Sequence, residues 1–220
     1  LMDFLASLIF VTSLKTSLIG TSITFILAIP IAYWMSTYRG KFKSLIDGFL
    51  TIPLVLPPTV LGFILLMIIG RNGLLGNILH KFDITLVFRW QAAAIAATVV
   101  SFPLMYRTTR GAFEQIDVDI INAARTLGIS ELKIFLKVAI PLAWPGIGAG
   151  TVLALARALG EFGATLMVAG NIPGKTQTIP TAIYFASEAG NMKVASIWVA
   201  IIFILSLCFI LLMNHWNERY

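Results

Sequence analysis

The chain has few charged residues and a single cysteine. Charged residues make up 12% of its 220 positions and hydrophobic residues 58%, with a mean hydropathy of +0.91. Soluble domains carry roughly a quarter charged residues, so a water-soluble fold is excluded. Cys208 lies in an apolar segment and has no second cysteine to pair with, which excludes an intrachain disulfide and a thiolate metal site.

The chain also lacks the residue clusters that catalysis and metal binding require. Its two histidines, His80 and His215, stand apart near the ends of apolar segments, and no hydrolase motif is present. Ala169 and residues 174–176 match only a relaxed phosphate-loop pattern, which follows an apolar segment instead of a strand and contains Pro173. We therefore expect no enzyme activity, no metal site and no cofactor on this chain.

Five long apolar segments predict an all-α integral membrane protein, because about 20 residues of helix span roughly 30 Å of hydrocarbon. The predicted spans are 14–35, 49–69, 91–106, 145–169 and 194–213. The apolar segment 4–11 extends the first span or adds a sixth. The N-terminus lacks the basic region of a signal peptide and its first apolar segment is too long to be one, so a retained span is expected.

Prolines and glycines distinguish two of these spans. Pro53, Pro57 and Pro58 remove backbone donors and should kink or interrupt the second span. The fourth span is rich in glycine, which lets helices approach closely in lipid. These glycines are Gly146, Gly148, Gly150, Gly160 and Gly163.

The net charge of +6 is explained by membrane topology, so nucleic-acid binding is not expected. Basic residues fall into two alternating sets of connections. One set contains Arg39, Lys41, Lys43, Arg107, Arg110, Arg125, Lys133, Lys137 and Arg219, and the other contains Arg71, Lys81, Arg89, Lys175 and Lys193. The richer set should face the cytoplasm, which places the N-terminus outside and the C-terminus inside the cytoplasmic membrane.

Two charged residues lie deep in the fourth span. Arg157 and Glu161 are four positions apart and so share one helix face. Each charge costs about 2.5 to 3.5 kcal/mol at the bilayer centre, so we expect them to pair. A structural ion pair is favoured over an anion path in which Arg157 attracts the anion. Thr165 is a further candidate to line such a path.

The connection at residues 112–142 predicts a helix-turn-helix on the cytoplasmic side. Asp117 favours the start of the first helix, and Gly128 favours a left-handed turn after it. Ser130 is placed to cap a second helix, which Pro141 should end. An amphipathic hairpin resting on lipid is the alternative.

This connection resembles the loop that contacts the ATPase in binding-protein-dependent ABC importer permeases. That family's motif is Glu-Ala-Ala, three residues, Gly, nine residues, then Ile-x-Leu-Pro, and every spacing is matched here. Asn122 replaces the acidic residue, which removes the charge for an ion pair with the ATPase. The resemblance implies that coupling to the ATPase depends on Asn122, Ala123, Ala124, Arg125, Gly128 and Pro141.

Four further segments resemble the molybdate and sulfate group of these permeases, and a fifth is closer to molybdate permeases. The four are 50–58, 70–73, 123–128 and 156–165, and the fifth is 170–180. The resemblance implies one transmembrane domain over residues 1–220 with the type I ABC importer permease fold, in a homodimer that carries molybdate or tungstate. It also implies an external oxyanion-binding protein and a separate ATPase subunit that hydrolyses ATP-Mg.

Three other functions remain open at this point. A permease for sulfate or another solute would share the same motifs. An ion-gradient transporter would usually have more spans, internal repeats and a midplane ion site, which the sequence does not show. A non-transporting membrane scaffold would leave the matched hairpin motif unexplained.

Overall fold

The computed structural model describes residues 2–217, and every regular element in that range is helical. Arg219, one of the basic residues used for the predicted orientation, lies outside the described residues. The helices are α1 (Met2–Thr37), α2 (Lys43–Thr51), α3 (Pro58–Ile69), α4 (Leu74–His80), α5 (Trp90–Glu114), α6 (Val118–Thr126), α7 (Glu131–Ile134), α8 (Ile140–Leu159), α9 (Gly163–Ala169), α10 (Ile179–Glu188) and α11 (Met192–Asn217). A 3₁₀ turn covers Ile52–Leu54, and a π-helical segment at Phe135–Ala139 joins α7 to α8.

Within the described residues, three helices are long and apolar enough to cross a membrane: Ala6–Thr37, Glu131–Leu159 and Met192–Leu211. The pair Lys43–Leu54 and Pro58–Ile69 adds a fourth if it counts as one span, although its halves are bent by 107°. The prolines therefore interrupt this span as predicted. α5 has 25 residues and is long enough to span, but it is less apolar than these helices and is not among them. The total of five spans therefore stays a prediction.

α5 is the central helix of the bundle. It packs along α1 and α8 and also contacts α9. Its first half buries the alanines Ala92, Ala93, Ala96 and Ala97, and its second half buries Tyr106 completely. Small side chains on this helix allow its neighbours to approach its backbone, which explains why it is less apolar than a helix facing lipid. It extends beyond the predicted span 91–106 and runs to Glu114.

Glycines permit the contact between α8 and α5. A Cβ added at Gly146 would overlap the Cβ of Ala112, and one at Gly150 would lie 3.1 Å from Sδ of Met105. The predicted packing role is confirmed at both positions. Gly148 differs, because a Cβ there would have no neighbour within 4 Å.

The predicted fourth span, 145–169, is wrong at both ends. The long helix in this region begins at Glu131 and ends at Leu159, and a break separates α8 from α9. Pro141 does not end a helix as expected, because it occupies the first turn of α8 directly after the π-helical segment. The wider π turn accommodates the missing backbone N–H of proline.

Segment 4–11 is part of α1, so it extends the first span and does not form a sixth.

Hydroxyl groups line a buried face of α1. Thr16 Oγ1 donates to the carbonyl oxygen of Thr12 at 2.8 Å, and Ser17 Oγ donates to that of Ser13 at 2.7 Å. Ser13 Oγ also accepts a hydrogen bond from the backbone N–H of Ile179, at 2.7 Å. Because a helix leaves its first N–H groups without internal partners, this contact fastens the start of α10 to α1.

We expect Gly146→Ala to lower the thermal unfolding midpoint in detergent, because the added methyl group overlaps Ala112 and separates α8 from α5. Gly148→Ala is the matched control on the same helix. It should preserve or raise the midpoint, since alanine favours a helix over glycine by roughly 0.5 to 1 kcal/mol. Equal midpoints for the two variants would contradict the proposed close contact.

Candidate functional site

The predicted hairpin lies at the end of the bundle where α5 ends and the long α7–α8 helix begins. The Asp117 carboxylate accepts a hydrogen bond from the N–H of Asp119 at 2.9 Å, which caps α6. Gly128 has φ of +75°, so the predicted left-handed turn is confirmed. Two expectations were wrong: Ser130 makes no side-chain cap bond, and the second helix is the first part of the long helix instead of a separate element.

An ion pair joins the two arms of the hairpin. Arg125 Nε lies 2.7 Å from Glu131 Oε1, and Arg125 Nη2 donates to Glu131 Oε2 at 3.1 Å. The hydrogen bond to Glu131 raises the pKa of Arg125. Asn122 Oδ1 also accepts from Arg125 Nη1 at 3.3 Å, so the residue that departs from the acidic motif lies beside this pair. Both ionic side chains are exposed, so the pair orients the hairpin more than it stabilises the protein.

The two alanines of the motif face opposite directions. Ala124 is 7% exposed and packs with Ile121 and Ile134 in a small cluster between the arms. Ala124 therefore does not contribute to the outer surface of the hairpin. Ala123 is exposed, and beyond it Leu127 exposes 80% of its surface. Sequence reasoning overlooked Leu127, although an apolar residue next to a turn glycine in a polar loop was a visible signal.

A second candidate site lies where α8 gives way to α9. Arg157 Nη2 is 2.8 Å from Glu161 Oε2, so the predicted ion pair is confirmed. Oε2 nevertheless accepts no hydrogen bond from the described residues. The two residues do not share a helix as expected, because Glu161 lies beyond the end of α8. Its Oε1 accepts from the N–H of Ala164 at 2.8 Å and so satisfies the first turn of α9. Glu161 and Thr165 are both buried.

The break brings α9 against α3. A Cβ added at Gly163 would lie 2.9 Å from Cβ of Pro58, and one added at Gly62 would lie 2.7 Å from Cβ of Met167. Glycines on both helices are therefore needed for this close contact. As a result, the ion pair at the break is connected through α9 to the bent α2–α3 segment.

Polar contacts fasten α2, which has no buried residue of its own, to the hairpin end of α5. The Asp47 carboxylate accepts from the Tyr106 hydroxyl at 2.7 Å and pairs with Arg110, whose Nε lies 2.9 Å from Glu114 Oε1. Sequence reasoning missed this cluster. The spacing of Tyr106, Arg110 and Glu114 on one face of α5 was the signal that could have indicated it.

Comparison with known proteins identifies the family. The model of the family described as the binding-protein-dependent transport system inner membrane component matches residues 7–219. The chain belongs to this permease family. It is therefore an inner membrane transport component, and its several apolar helices agree with the membrane protein that the apolar segments predicted.

The permease has similar relatives over most of its length. It is 45% identical to YvgM of Bacillus subtilis (strain 168) over 89% of this chain and 87% of the relative. Identity to the molybdenum transport system permease protein ModB of Escherichia coli (strain K12) is 42%, over 94% of this chain and 91% of the relative. The fold is similar to that of a solved structure of the MetNI methionine ABC transporter in an inward-facing conformation, with a TM-score of 0.79 and 18% sequence identity. The alignment covers 99% of this chain and 97% of that chain. The predicted type I ABC importer permease fold is confirmed.

For the ion pair at the break, we expect Arg157→Gln to destabilise the permease because it leaves the buried Glu161 carboxylate without its cation. The free energy of unfolding should fall by about 1 to 3 kcal/mol, which is less than for a fully buried pair because solvent reaches part of Arg157. Adding Glu161→Gln should restore part of it, because the amide oxygen still accepts from Ala164. Thermal unfolding of single and double variants measures this. A double variant no more stable than Arg157→Gln would count against a structural pair.

Proposed function

We propose that this permease is the membrane-spanning subunit of an ATP-driven importer of molybdate. The main support for this proposal is the hairpin, which matches the family's motif in spacing and turns at the left-handed Gly128. It exposes Leu127 at one end of the bundle, where a separate ATPase subunit would make contact. ModB of Escherichia coli, which is named as a molybdenum transport permease, shares 42% of residues over 94% of this chain. This likeness supports molybdate as the substrate, with tungstate and sulfate as chemically similar dianions.

The proposed coupling depends on how firmly the hairpin is joined to the bundle. One arm continues without a gap from Glu131 into the helix that ends at Leu159. The other arm, α6, follows closely after α5. Movement of an ATPase against Ala123 and Leu127 would therefore displace α8, whose far end carries Arg157 and the break. In this proposal, Asn122, Arg125 and Gly128 maintain the shape of the hairpin, and Pro141 lies at the junction with α8.

The proposed path for the anion lies between this chain and a second copy. Arg157 is the partly exposed member of its ion pair, so its guanidinium retains donors for an anion, whereas Glu161 and Thr165 are enclosed by the chain. We therefore place Arg157 next to the path and assign Glu161 and Thr165 to its supporting wall. In this arrangement the hairpin faces the cytoplasm, and the opposite end of the bundle receives oxyanion from an external binding protein.

In proteoliposomes, we expect molybdate uptake only when the ATPase subunit, ATP-Mg and the external binding protein are all present. The reason is that the proposed energy source and the proposed receptor are both separate proteins. Labelled molybdate measures the uptake, and competing tungstate and sulfate rank the substrates. Uptake by the purified permease alone, under a proton or sodium gradient, would contradict the proposal.

At the hairpin turn, we expect Gly128→Val to weaken ATPase binding or uncouple ATP hydrolysis from uptake. A Cβ there meets no atom within 4 Å, so the effect comes from the backbone alone. A φ of +75° strains a β-branched residue by about 1 to 3 kcal/mol. Gly128→Asn is the matched control, because asparagine tolerates this conformation. Co-purification of the ATPase and the ratio of ATP hydrolysed to molybdate imported are the readouts; normal coupling in the valine variant would refute the role.

A further inference from the structure

A cavity of about 580 Å³ opens beside the hairpin, between the second half of α5 and the start of α8. The turn from α5 into α6 forms its third side, with Ile116 and Asp117 in the wall. Arg107 and Gln115 also line it, and both charged side chains of the wall, Arg107 and Asp117, are exposed. A ligand can therefore reach them from outside the chain. Arg107 has no role in the sites described above.

The two charged side chains of this cavity retain bonding capacity for a ligand. Arg107 makes no hydrogen bond or ion pair within the described residues, whereas Arg110 on the next turn of α5 pairs with carboxylates. One carboxylate oxygen of Asp117 accepts from the N–H of Asp119 at 2.9 Å, and the other accepts no hydrogen bond from the described residues. The wall therefore offers a guanidinium and a carboxylate oxygen, and its two charges cancel.

The length of α5 places Arg107 close to one boundary of the membrane. The helix begins at Trp90, and Lys15 Nζ lies 3.7 Å from the centre of the Trp90 ring. Aromatic and basic side chains of this kind are typical of a membrane–water boundary. Arg107 follows Trp90 by seventeen residues, which is about 26 Å of helix across a hydrocarbon layer of about 30 Å. Asp117, beyond the end of α5, lies farther from the hydrocarbon on the same side.

We propose that this cavity binds the headgroup of a zwitterionic aminophospholipid, of the phosphatidylethanolamine class, in the cytoplasmic leaflet. The lipid phosphate pairs with the Arg107 guanidinium through charge-assisted hydrogen bonds. The lipid ammonium donates to the second carboxylate oxygen of Asp117. In such a lipid the phosphate lies closer to the acyl chains than the ammonium does, which matches the depths of the two side chains. The leaflet follows from the proposed orientation of the hairpin, whereas the headgroup does not depend on the transported solute.

The carboxylate in the wall favours a zwitterion over an anionic lipid. Pockets that bind cardiolipin or phosphoinositide headgroups are basic, whereas here Asp117 cancels the charge of Arg107. A phosphatidylglycerol headgroup has no cation, so its phosphate would face Asp117 with no positive charge of the lipid between them. Phosphatidylcholine has a cation but no N–H group, so it cannot donate a hydrogen bond to the carboxylate. An aminophospholipid supplies a partner for both side chains.

Gly111 allows the cavity to be filled without a change in its charge. It lines the cavity, and a Cβ added there would meet no atom within 4 Å. A leucine side chain at this position would therefore enter the cavity without displacing a neighbouring helix. Leucine also favours a helix more than glycine does, so the substitution should not weaken α5.

Native mass spectrometry of the full-length permease in detergent tests the proposal. The protein is offered equal amounts of phosphatidylethanolamine, phosphatidylglycerol and phosphatidylcholine with the same acyl chains. We expect the unmodified permease to retain phosphatidylethanolamine over the other two by about fivefold or more. Asp117→Asn should reverse this preference toward phosphatidylglycerol, because Arg107 becomes the only charge in the wall while asparagine still caps α6. Arg107→Gln and Gly111→Leu should each reduce phosphatidylethanolamine binding about fivefold or more.

Arg39→Gln is the matched control, because it removes an arginine from the same predicted side of the membrane without lining the cavity. It should retain the same lipids as the unmodified permease. Thermal unfolding and elution in size-exclusion chromatography report on folding and assembly. If Arg107→Gln does not assemble, the reversal in Asp117→Asn and the loss in Gly111→Leu decide.

Several outcomes would overturn the proposal. Equal retention of the three lipids by the unmodified permease would exclude a headgroup site, and an equal loss in Arg39→Gln would assign lipid binding to general surface charge. An unchanged preference in Asp117→Asn would show that the carboxylate does not receive the ammonium. Displacement of the lipid by an equal concentration of glycerophosphoethanolamine would assign the cavity to a soluble zwitterion. A lower dimer fraction in Arg107→Gln with unchanged lipid binding would assign it to a second copy. Molybdate uptake is measured separately, so none of these results decides the proposed function.

Discussion

Close packing of helix backbones around α5 is the interaction on which the rest of the structure depends. A Cβ added at Gly20 of α1 would lie 2.9 Å from Cβ of Ala97, and one added at Gly146 of α8 would overlap the Cβ of Ala112. In lipid, apolar side chains gain little from contact with other apolar side chains, so helices associate through such close approach and through hydrogen bonds. The hairpin follows the end of α5, so its position depends on the same packed helix.

Polar groups mark the places where this packing changes direction. At the hairpin end, Asp47 connects α2 to Tyr106 and Arg110 of α5. Beyond the end of α8, Glu161 satisfies the first turn of α9 and pairs with Arg157. The Glu161 carboxylate is buried, which is costly unless the group is paired and hydrogen-bonded, and the partly exposed Asp47 carboxylate likewise lies where a neighbouring helix supplies donors. The two clusters therefore connect short helices to long ones.

The sequence predicted most of the helices, because long apolar segments and turn residues act locally. Gly128 has the expected conformation, and the prolines at 53, 57 and 58 interrupt the second span as expected. Local rules failed where neighbours decide the outcome. Pro141 is accommodated by a π-helical turn, and the inward position of Ala124 depends on Ile134 across the hairpin. The break after Leu159 depends on α9 packing against α3, which no local pattern in the fourth span encodes.

The hydroxyl groups of α1 have a consequence for how the chain is inserted into the membrane. Thr16 and Ser17 bond to carbonyl oxygens one turn earlier in their own helix, so they need no second helix to be satisfied in lipid. Thr24 instead bonds to Ser101 and to the backbone of α5. Because α1 is synthesised before α5, it would leave the translocon as a stable helix and then offer a polar, small-residue surface to the less apolar α5. The synthesis of α1 before α5 would thus favour the insertion of α5 despite its lower hydropathy.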